Sequence, residues 1–292
     1  MIPGQTAPRK IILLSHPGIP DSIKESSELA AVLQEHNVEI FFASSYTDEM
    51  LIRQVHTGNY DLLIALGGDG TVLRASRLCS PVGLPVLGIN VGNFGFLTEV
   101  QRTGWRDILP RLLTGDYRLE ERMMLHSSHL RKKALLDEWE VLNEVAICRG
   151  EMVRPVHLTA EVDGYPLASY VADGLIASTP TGSTAYAMAV GGPVLPPEMR
   201  SILLVPIAPH LSFAKPIVLS EGASVTIRVH TRHSAVLSAD GQTSISLEDG
   251  DEVHVTASKR SAYFVRFQNP GYFYQTLNRY MEQTPRIYGD KQ

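Results

Sequence analysis

A chain of 292 residues exceeds the usual size of one compact domain and points to two. With 44% apolar and 20% charged residues it falls among ordinary folded proteins, outside the composition range of disordered ones. Its formal charge of −5 speaks against broad nucleic-acid binding, which needs a basic face that releases phosphate counterions. Cys79 and Cys148 lie far apart without CxxC spacing, so neither a disulfide framework nor a zinc site is expected, and both read as buried small hydrophobes. The first apolar run, Ile11 to Leu14, is too short for a signal-peptide core, and no stretch approaches the roughly 18 apolar residues of a membrane span. A cytoplasmic protein without membrane or nucleic-acid partners is expected.

In chain order, Lys10 to Ser15 reads as a strand. Pro20 and Asp21 follow, and a Ser22/Glu25 capping-box pattern opens a helix towards His36. Val38 to Ala43, Asp61 to Leu66 and Val86 to Asn90 are further strands, with a short helix from Thr71 to Cys79 between the last two. Trp105, Ile108, Leu109, Leu112 and Leu113 recur at helical spacing and form one apolar face. This alternation predicts an α/β domain with a parallel sheet over residues 1–116.

Past Gly115 the period changes to two. Leu158, Ala160 and Val162 alternate with His157, Thr159 and Glu161, and Asp163-Gly164 supplies a hairpin turn. Val225, Ile227 and Val229 repeat the alternation, as do Val253 and Val255, so residues 117–269 are expected to form a β-rich domain. Tyr272 to Met281 reads as a closing helix in a segment, 270–292, that returns to the first domain.

Three constellations could carry chemistry. Leu66-Gly67-Gly68-Asp69-Gly70-Thr71 sits between a buried strand and a helix, where glycines let phosphate oxygens approach backbone N–H groups at a helix N-terminus. The plainer reading is a tight turn in which Asp69 caps the helix. No GxGxxG fingerprint and no GxxxxGK[ST] loop is present, which argues against a Rossmann dehydrogenase and a P-loop kinase. The second runs from Asp173 through the strand Leu175 to Ser178 into a hydroxyl- and glycine-rich loop, Thr179 to Thr184, with a helical start at Ala185 and then Tyr186. Its hydroxyls, amides and aromatic face suit a base, a sugar and phosphates. The third is Asn143-Glu144, an amide and a carboxylate inside the otherwise apolar strand Val141 to Ile147; their side chains would point to opposite faces, so one must line a cavity or find a buried partner.

Together these stretches closely resemble the NAD kinase family. The resemblance extends to Asn90-Val91-Gly92-Asn93-Phe94-Gly95-Phe96-Leu97 and to Pro209-His210-Leu211-Ser212 with Lys215-Pro216, and covers most of the chain from about Asp61 to Gly271. It implies the two-domain fold of that family and phosphorylation of the 2′-hydroxyl of the adenosine ribose of NAD. By resemblance Asp69 is the general base, Gly67, Gly68, Gly70 and Thr71 form the phosphate loop, and Asn143 and Glu144 bind the ribose. Thr181, Thr184, Ala185 and Tyr186 contact the nucleotide, and Asp173 the nicotinamide half across a subunit interface, which implies a homodimer or homotetramer. Arg74, Asn93, Phe94, His210, Asp240 and Gln242 are secondary candidates; Asp240-Gly241-Gln242 matches a family stretch and reads equally as an Asp-Gly hairpin turn. The donor would be ATP or, with Thr71 after the GGDG, polyphosphate. Mg²⁺ or another divalent cation would bridge its phosphates, with little contribution from protein ligands. Val171 and Lys215 depart from the basic residue and the Arg common in the family and bear on the nicotinamide side and the choice of NAD or NADH. A lipid or sphingoid kinase of the same superfamily and a non-catalytic NAD-binding regulator are the competing functions.

Overall fold

A computed structural model describes residues 6–92, 95–151, 154–210, 213–231, 233–242 and 244–283. The chain divides into two compact units, one of residues 1–121 and 263–292 and the other of residues 122–262.

The first unit begins with β1 (Lys10–Ser15), α1 (Pro20–Glu35), β2 (Glu39–Ala43), α2 (Glu49–His56), β3 (Leu62–Gly67), α3 (Asp69–Cys79), β4 (Val86–Asn90), the short β5 (Val100–Gln101) and α4 (Trp105–Thr114). The strands pair in parallel in the order β2-β1-β3-β4, the arrangement expected when each pair of parallel strands is joined through a helix. β1 and β3 are buried along almost their whole length, which explains why they read as unbroken apolar runs without alternation. Leu29 and Leu33 of α1 and Trp105, Leu109 and Leu112 of α4 pack onto Ile11, Leu13, Ile64 and Leu66 of the sheet.

The opening of α1 departs from the sequence expectation. The helix does not open on a Ser22/Glu25 capping box. Pro20 starts it at the first turn with Ile19 as N-cap and no capping side chain, since proline needs no N–H partner there. Ser22 instead donates to the Leu66 carbonyl at 2.7 Å and accepts from the His16 N–H at 2.8 Å, tying the ends of β1 and β3, and Glu25 accepts from Trp105 Nε1 at 2.9 Å. The helix α2 was not among the predicted elements. Its signal is short: Asp48 caps the Met50 N–H, and only Leu51 and Val55 are buried.

The second unit is antiparallel. It contains most of β6 (Arg118–Arg131), then β7 (Ala134–Val141), β8 (Glu144–Arg149), β9 (Val156–Val162), β10 (Tyr165–Ala172), β11 (Gly174–Ser178), the short helix α5 (Tyr186–Ala189), β12 (Ser201–Ile207), β13 (Ile217–Ser220), β14 (Val225–His230), β15 (Ala235–Ala239), β16 (Ile245–Leu247) and most of β17 (Glu252–Arg266). One sheet runs β13-β12-β11-β8-β15-β16; the strands β10-β9-β14-β17 form the other. Their facing sides make one core: Val145, Ile147, Leu175, Ala177, Leu204 and Leu237 against Leu158, Ala160, Ile227, Val229 and Val253. Asp163 (φ 53°) and Gly164 (φ 80°) make the expected tight turn between β9 and β10. After β17 comes α6 (Tyr272–Gln283), which belongs to the first unit and buries Tyr272 and Phe273.

A buried ion cluster links β6 to the turn before β17. Asp251, fully buried, accepts from His129 Nε2 at 2.9 Å, from Arg131 Nε and Nη2 at 2.8 and 2.9 Å, and from the Glu248 N–H at 2.8 Å. Burial alone would raise its carboxyl, but Arg131, the Glu248 N–H and His129 outweigh it and hold it at about 2. A depressed carboxyl contributes stability that is present above the unfolded value and is lost as pH falls towards 2. Asp251→Asn is therefore expected to cost about 3 to 5 kcal/mol in urea unfolding at pH 7, the range for breaking a buried pair. The loss should shrink when the same titration is run below pH 3; a variant as stable as the parent at pH 7 would refute the assignment.

Candidate active site

The turn between β3 and α3 carries the GGDG sequence. Gly67 ends the strand, Gly68 is the N-cap, and Asp69 is the first helical residue. A side chain at Gly67 would overlap Thr71, whose hydroxyl lies against the turn. A Cβ at Gly68 or Gly70 would meet no atom of the described residues within 4 Å. Packing within the protein therefore demands only the first of these glycines; the other two leave bare backbone beside open space.

Asp69 does not cap its own helix, so the plain capping reading fails. Its carboxylate reaches across to the segment after β4, where Oδ2 accepts from the Phe96 N–H at 2.7 Å and Oδ1 from the N–H groups of Leu97 and Thr98 at 3.0 and 3.3 Å. Gly95 is indispensable to that approach, since any Cβ there would overlap the carboxylate. Arg74, exposed on α3, stacks its guanidinium 4.4 Å from the centre of the Tyr46 ring. Asn93 and Phe94 lie outside the described residues.

In the second unit Asn143 lies outside a strand and Glu144 opens one, whereas the sequence reading placed both inside a single strand. β7 ends at Val141 and β8 starts at Glu144, so Leu142 and Asn143 form a break. The cause is Asp240, whose carboxylate gathers the N–H groups of Leu142, Asn143 and Glu144 at 2.9, 2.7 and 3.1 Å. On the other side, Thr179 Oγ1 donates to the Leu142 carbonyl at 2.5 Å, and the Thr179 N–H donates to the Asn143 carbonyl at 2.8 Å. The hydroxyl-rich loop is thus stitched to the break. Gly182 belongs to the same fit, because a Cβ there would overlap the Asn143 carbonyl.

Glu144 is buried, and its Oε2 has no hydrogen-bond partner among the described residues. Burial, and then the charge of Asp240, push its carboxyl up to about 8, against which the Tyr186 backbone N–H acts in the opposite direction. Thr181 is buried and accepts from Arg122 Nη1 at 3.1 Å, while Thr184 Oγ1 donates to the Thr181 carbonyl. A single 3₁₀ turn, Gly182–Thr184, precedes α5, so the helical start falls at Tyr186, one residue after Ala185. Tyr186 presents a ring that is 40% exposed.

Its phenol shares a hydrogen bond with the Cys148 thiol. Cys148 is only half-buried, and the reading of both cysteines as buried hydrophobes holds for Cys79 alone. Asp173 pairs with Arg149 at 3.1 Å and lies 3.9 Å from His210 Nε2. Gln242 is exposed beyond the Asp240-Gly241 turn.

Residues 20–117 match the ATP-NAD kinase N-terminal domain, and residues 142–267 match the ATP-NAD kinase C-terminal domain. An NAD kinase of Chloroflexus aurantiacus is 39% identical over 268 residues, which cover 92% of this chain and 96% of that protein. The chain belongs to the NAD kinase family. A second relative, an NAD kinase of Moorella thermoacetica, is 42% identical over 212 residues, 72% of this chain and 68% of that one. The structure of an NAD kinase from Archaeoglobus fulgidus in complex with ATP superposes with a TM-score of 0.74 at 26% identity, covering 92% of this chain and 97% of that one. Yeast NADH kinase complexed with NADH shares the fold, with a TM-score of 0.83 at 23% identity over 97% of this chain and 91% of that one.

The structure brings beside the predicted residues several that sequence reasoning missed. Arg149 and Cys148 lie on β8 opposite the start of β11, where strand pairing sets them beside Asp173 and Gly174. The stretch Asn90 to Leu97 is legible as family resemblance, but nothing in it tells that the N–H groups of residues 96–98 gather on Asp69, because backbone groups are the same in every residue.

The raised Glu144 carboxyl has a measurable consequence in the free protein. A carboxyl raised above its unfolded value favours the neutral folded form, so its contribution is present at low pH and is lost as pH rises through about 8. Glu144→Gln cannot ionise and should flatten that loss. Between pH 6 and 9 the Tm of the parent is expected to fall further than that of the variant, by roughly 2 to 4 °C for each kcal/mol involved. Parallel Tm profiles would show that burial does not hold this carboxyl neutral.

Proposed function

We propose that the protein phosphorylates the 2′-hydroxyl of the adenosine ribose of NAD to give NADP. The observation that carries this reading is the buried, unpartnered Oε2 of Glu144, set beside a strand break and the exposed ring of Tyr186. A buried carboxyl oxygen without a partner is costly unless a ligand completes it, and ribose hydroxyls are donors of the right kind. Asn143 and Glu144 then hold the ribose, Thr181, Thr184, Ala185 and Tyr186 the adenine nucleotide, and Asp173 the nicotinamide half. The open backbone at Gly68 and Gly70, with Gly67 and Thr71 shaping the turn, takes the phosphates.

Asp69 is the proposed general base. Among the described residues Oδ2 accepts a single N–H, from Phe96, so one of its two lone pairs remains for a hydroxyl proton. Held by the amides of residues 96–98, the carboxylate keeps a fixed direction. ATP is the proposed donor, in line with the ATP complex of the Archaeoglobus fulgidus structure; polyphosphate is the comparison. No three His, Cys, Asp or Glu converge on a metal position among the described residues. A divalent cation bound with the donor would supply charge neutralisation at its phosphates. No described helix is long and apolar enough to cross a membrane. A cytoplasmic homodimer or homotetramer, in which Asp173 serves a neighbouring subunit, completes the proposal.

The three amides on Asp69 favour a second reading, in which it only anchors the segment after β4. Asp69→Asn separates the two. The amide has one acceptor oxygen and turns an NH₂ towards one of these N–H groups, so some loss of Tm is expected in either case. If Asp69 is the base, NADP formation with NAD, Mg²⁺ and ATP falls about 10² to 10⁴-fold at saturating NAD while NAD affinity stays near that of the parent. Loss of NAD affinity with kcat within about threefold of the parent would leave anchoring alone. Gly70→Ala should keep or raise Tm, since none of the described residues opposes its Cβ and alanine favours a helix, yet weaken donor binding. Unchanged donor KM in that variant would remove the phosphates from this turn.

A further inference from the structure

We infer that Asp240 is a positioning residue for nucleotide recognition: it fixes Asn143 and Glu144 through the backbone of the 142–144 break and does not itself touch the ligand. The inference rests on the proposed role of those two residues in holding NAD.

A plain Asp-Gly turn does not account for what Asp240 does. Asp240 and Gly241 do adopt positive φ, 51° and 67°, as a tight turn requires. Asparagine would meet that need equally well, because its short polar side chain tolerates the left-handed region. The break uses both acceptor oxygens: Oδ2 takes the Leu142 N–H, and Oδ1 those of Asn143 and Glu144. In return the Asp240 N–H donates to the Glu144 carbonyl at 2.9 Å. The contact runs between positions 96 to 98 residues apart, so it fixes tertiary geometry and not the local hairpin.

Without this clamp the N–H groups of residues 142–144 would face a buried region unpaired, and the chain from β7 to β8 would be free to continue as one strand. The direction of the Glu144 side chain, with its unpartnered Oε2, is set by that break. Asp240 also acts electrostatically. Its charge is the second cause, after burial, of the raised Glu144 carboxyl; from α5 Tyr186 contributes its N–H, and the flanking Ser178 and Thr179 bring only neutral groups. Glu144 is therefore expected to ionise, and to accept ribose hydroxyls fully, only as pH rises through about 8.

The test uses the full chain as wild type, Asp240→Asn and Asp240→Ala. Asparagine preserves the turn, has one acceptor oxygen, and carries no charge. KM for NAD at its high-pH plateau should rise at least about tenfold in Asp240→Asn, with KM for ATP within about twofold and kcat within about threefold of the parent. The pH at which KM for NAD falls to that plateau should move down, because Glu144 loses a neighbouring negative charge. Asp240→Ala should show the larger rise in KM; should it fail to fold, Asp240→Asn still decides. Two outcomes overturn the inference: an unchanged plateau KM for NAD, or NAD and ATP constants that rise together with an unmoved pH midpoint, which is the signature of a general structural defect. If the wild type makes no NADP, the proposed function fails on its own, and NAD affinity by calorimetry, which needs no turnover, still decides whether Asp240 positions the pair.

Discussion

Leu142, Asn143 and Glu144 point three consecutive N–H groups at one carboxylate, that of Asp240, and their carbonyls are accounted for as fully. Leu142 C=O accepts from the Thr179 hydroxyl, Asn143 C=O from the Thr179 N–H and the Ser178 hydroxyl, and Glu144 C=O from the Asp240 N–H. A buried backbone cannot leave the strand ladder unless each of its polar groups finds another partner. Here partners from two distant segments supply them all, and the course of the chain from β7 into β8 depends on that exchange. Asp69 uses the same device in the first unit, where it collects the N–H groups of residues 96–98. A carboxylate with two oxygens and about four acceptor positions suits this role better than any neutral side chain.

The arrangement sets electrostatics as well as shape. Asp240 and Glu144 are two carboxyls brought near each other in a buried setting, and the one with fewer donors becomes the neutral one. Burial and the neighbouring charge thus favour the neutral form of Glu144. Asp251 shows the opposite result of burial. Its guanidinium, imidazole and N–H donors hold it ionised, and the cluster belongs to the frame of the unit rather than to the site. Donor supply, more than depth, separates the two.

Glycines divide along the same line. Gly67, Gly95 and Gly182 are required by close approach to Thr71, Asp69 and Asn143 respectively. A Cβ at Gly68 or Gly70 would meet nothing among the described residues. Their freedom costs helix stability at Gly70 and has a use only if something outside the chain comes near the backbone. The GGDG turn is therefore partly architecture and partly a surface kept clear, and the sequence motif by itself does not tell the two apart.

The sequence alone determined the parallel α/β pattern of the first unit, the β-rich second unit, the Asp163-Gly164 turn and the family, because apolar periodicity, turn glycines and contiguous motifs are local properties. It determined the strands β1, β3 and β4 to within a residue, since buried parallel strands are short apolar runs bounded by breakers. It misplaced Ser22 and Glu25, whose capping spacing is local but whose partners, the Leu66 carbonyl and Trp105, lie 44 and 80 residues away. It read Asn143 and Glu144 as part of one strand because nothing between Val141 and Ile147 signals a break. That break is made by a carboxylate 96 to 98 residues downstream, and only the paired strands β8 and β15 bring it there. Residue types and their spacing were enough to say what chemistry is on offer; which carboxyl is ionised, which is neutral and which merely holds a loop was decided by tertiary contacts, because those states depend on donors and burial contributed from elsewhere in the chain.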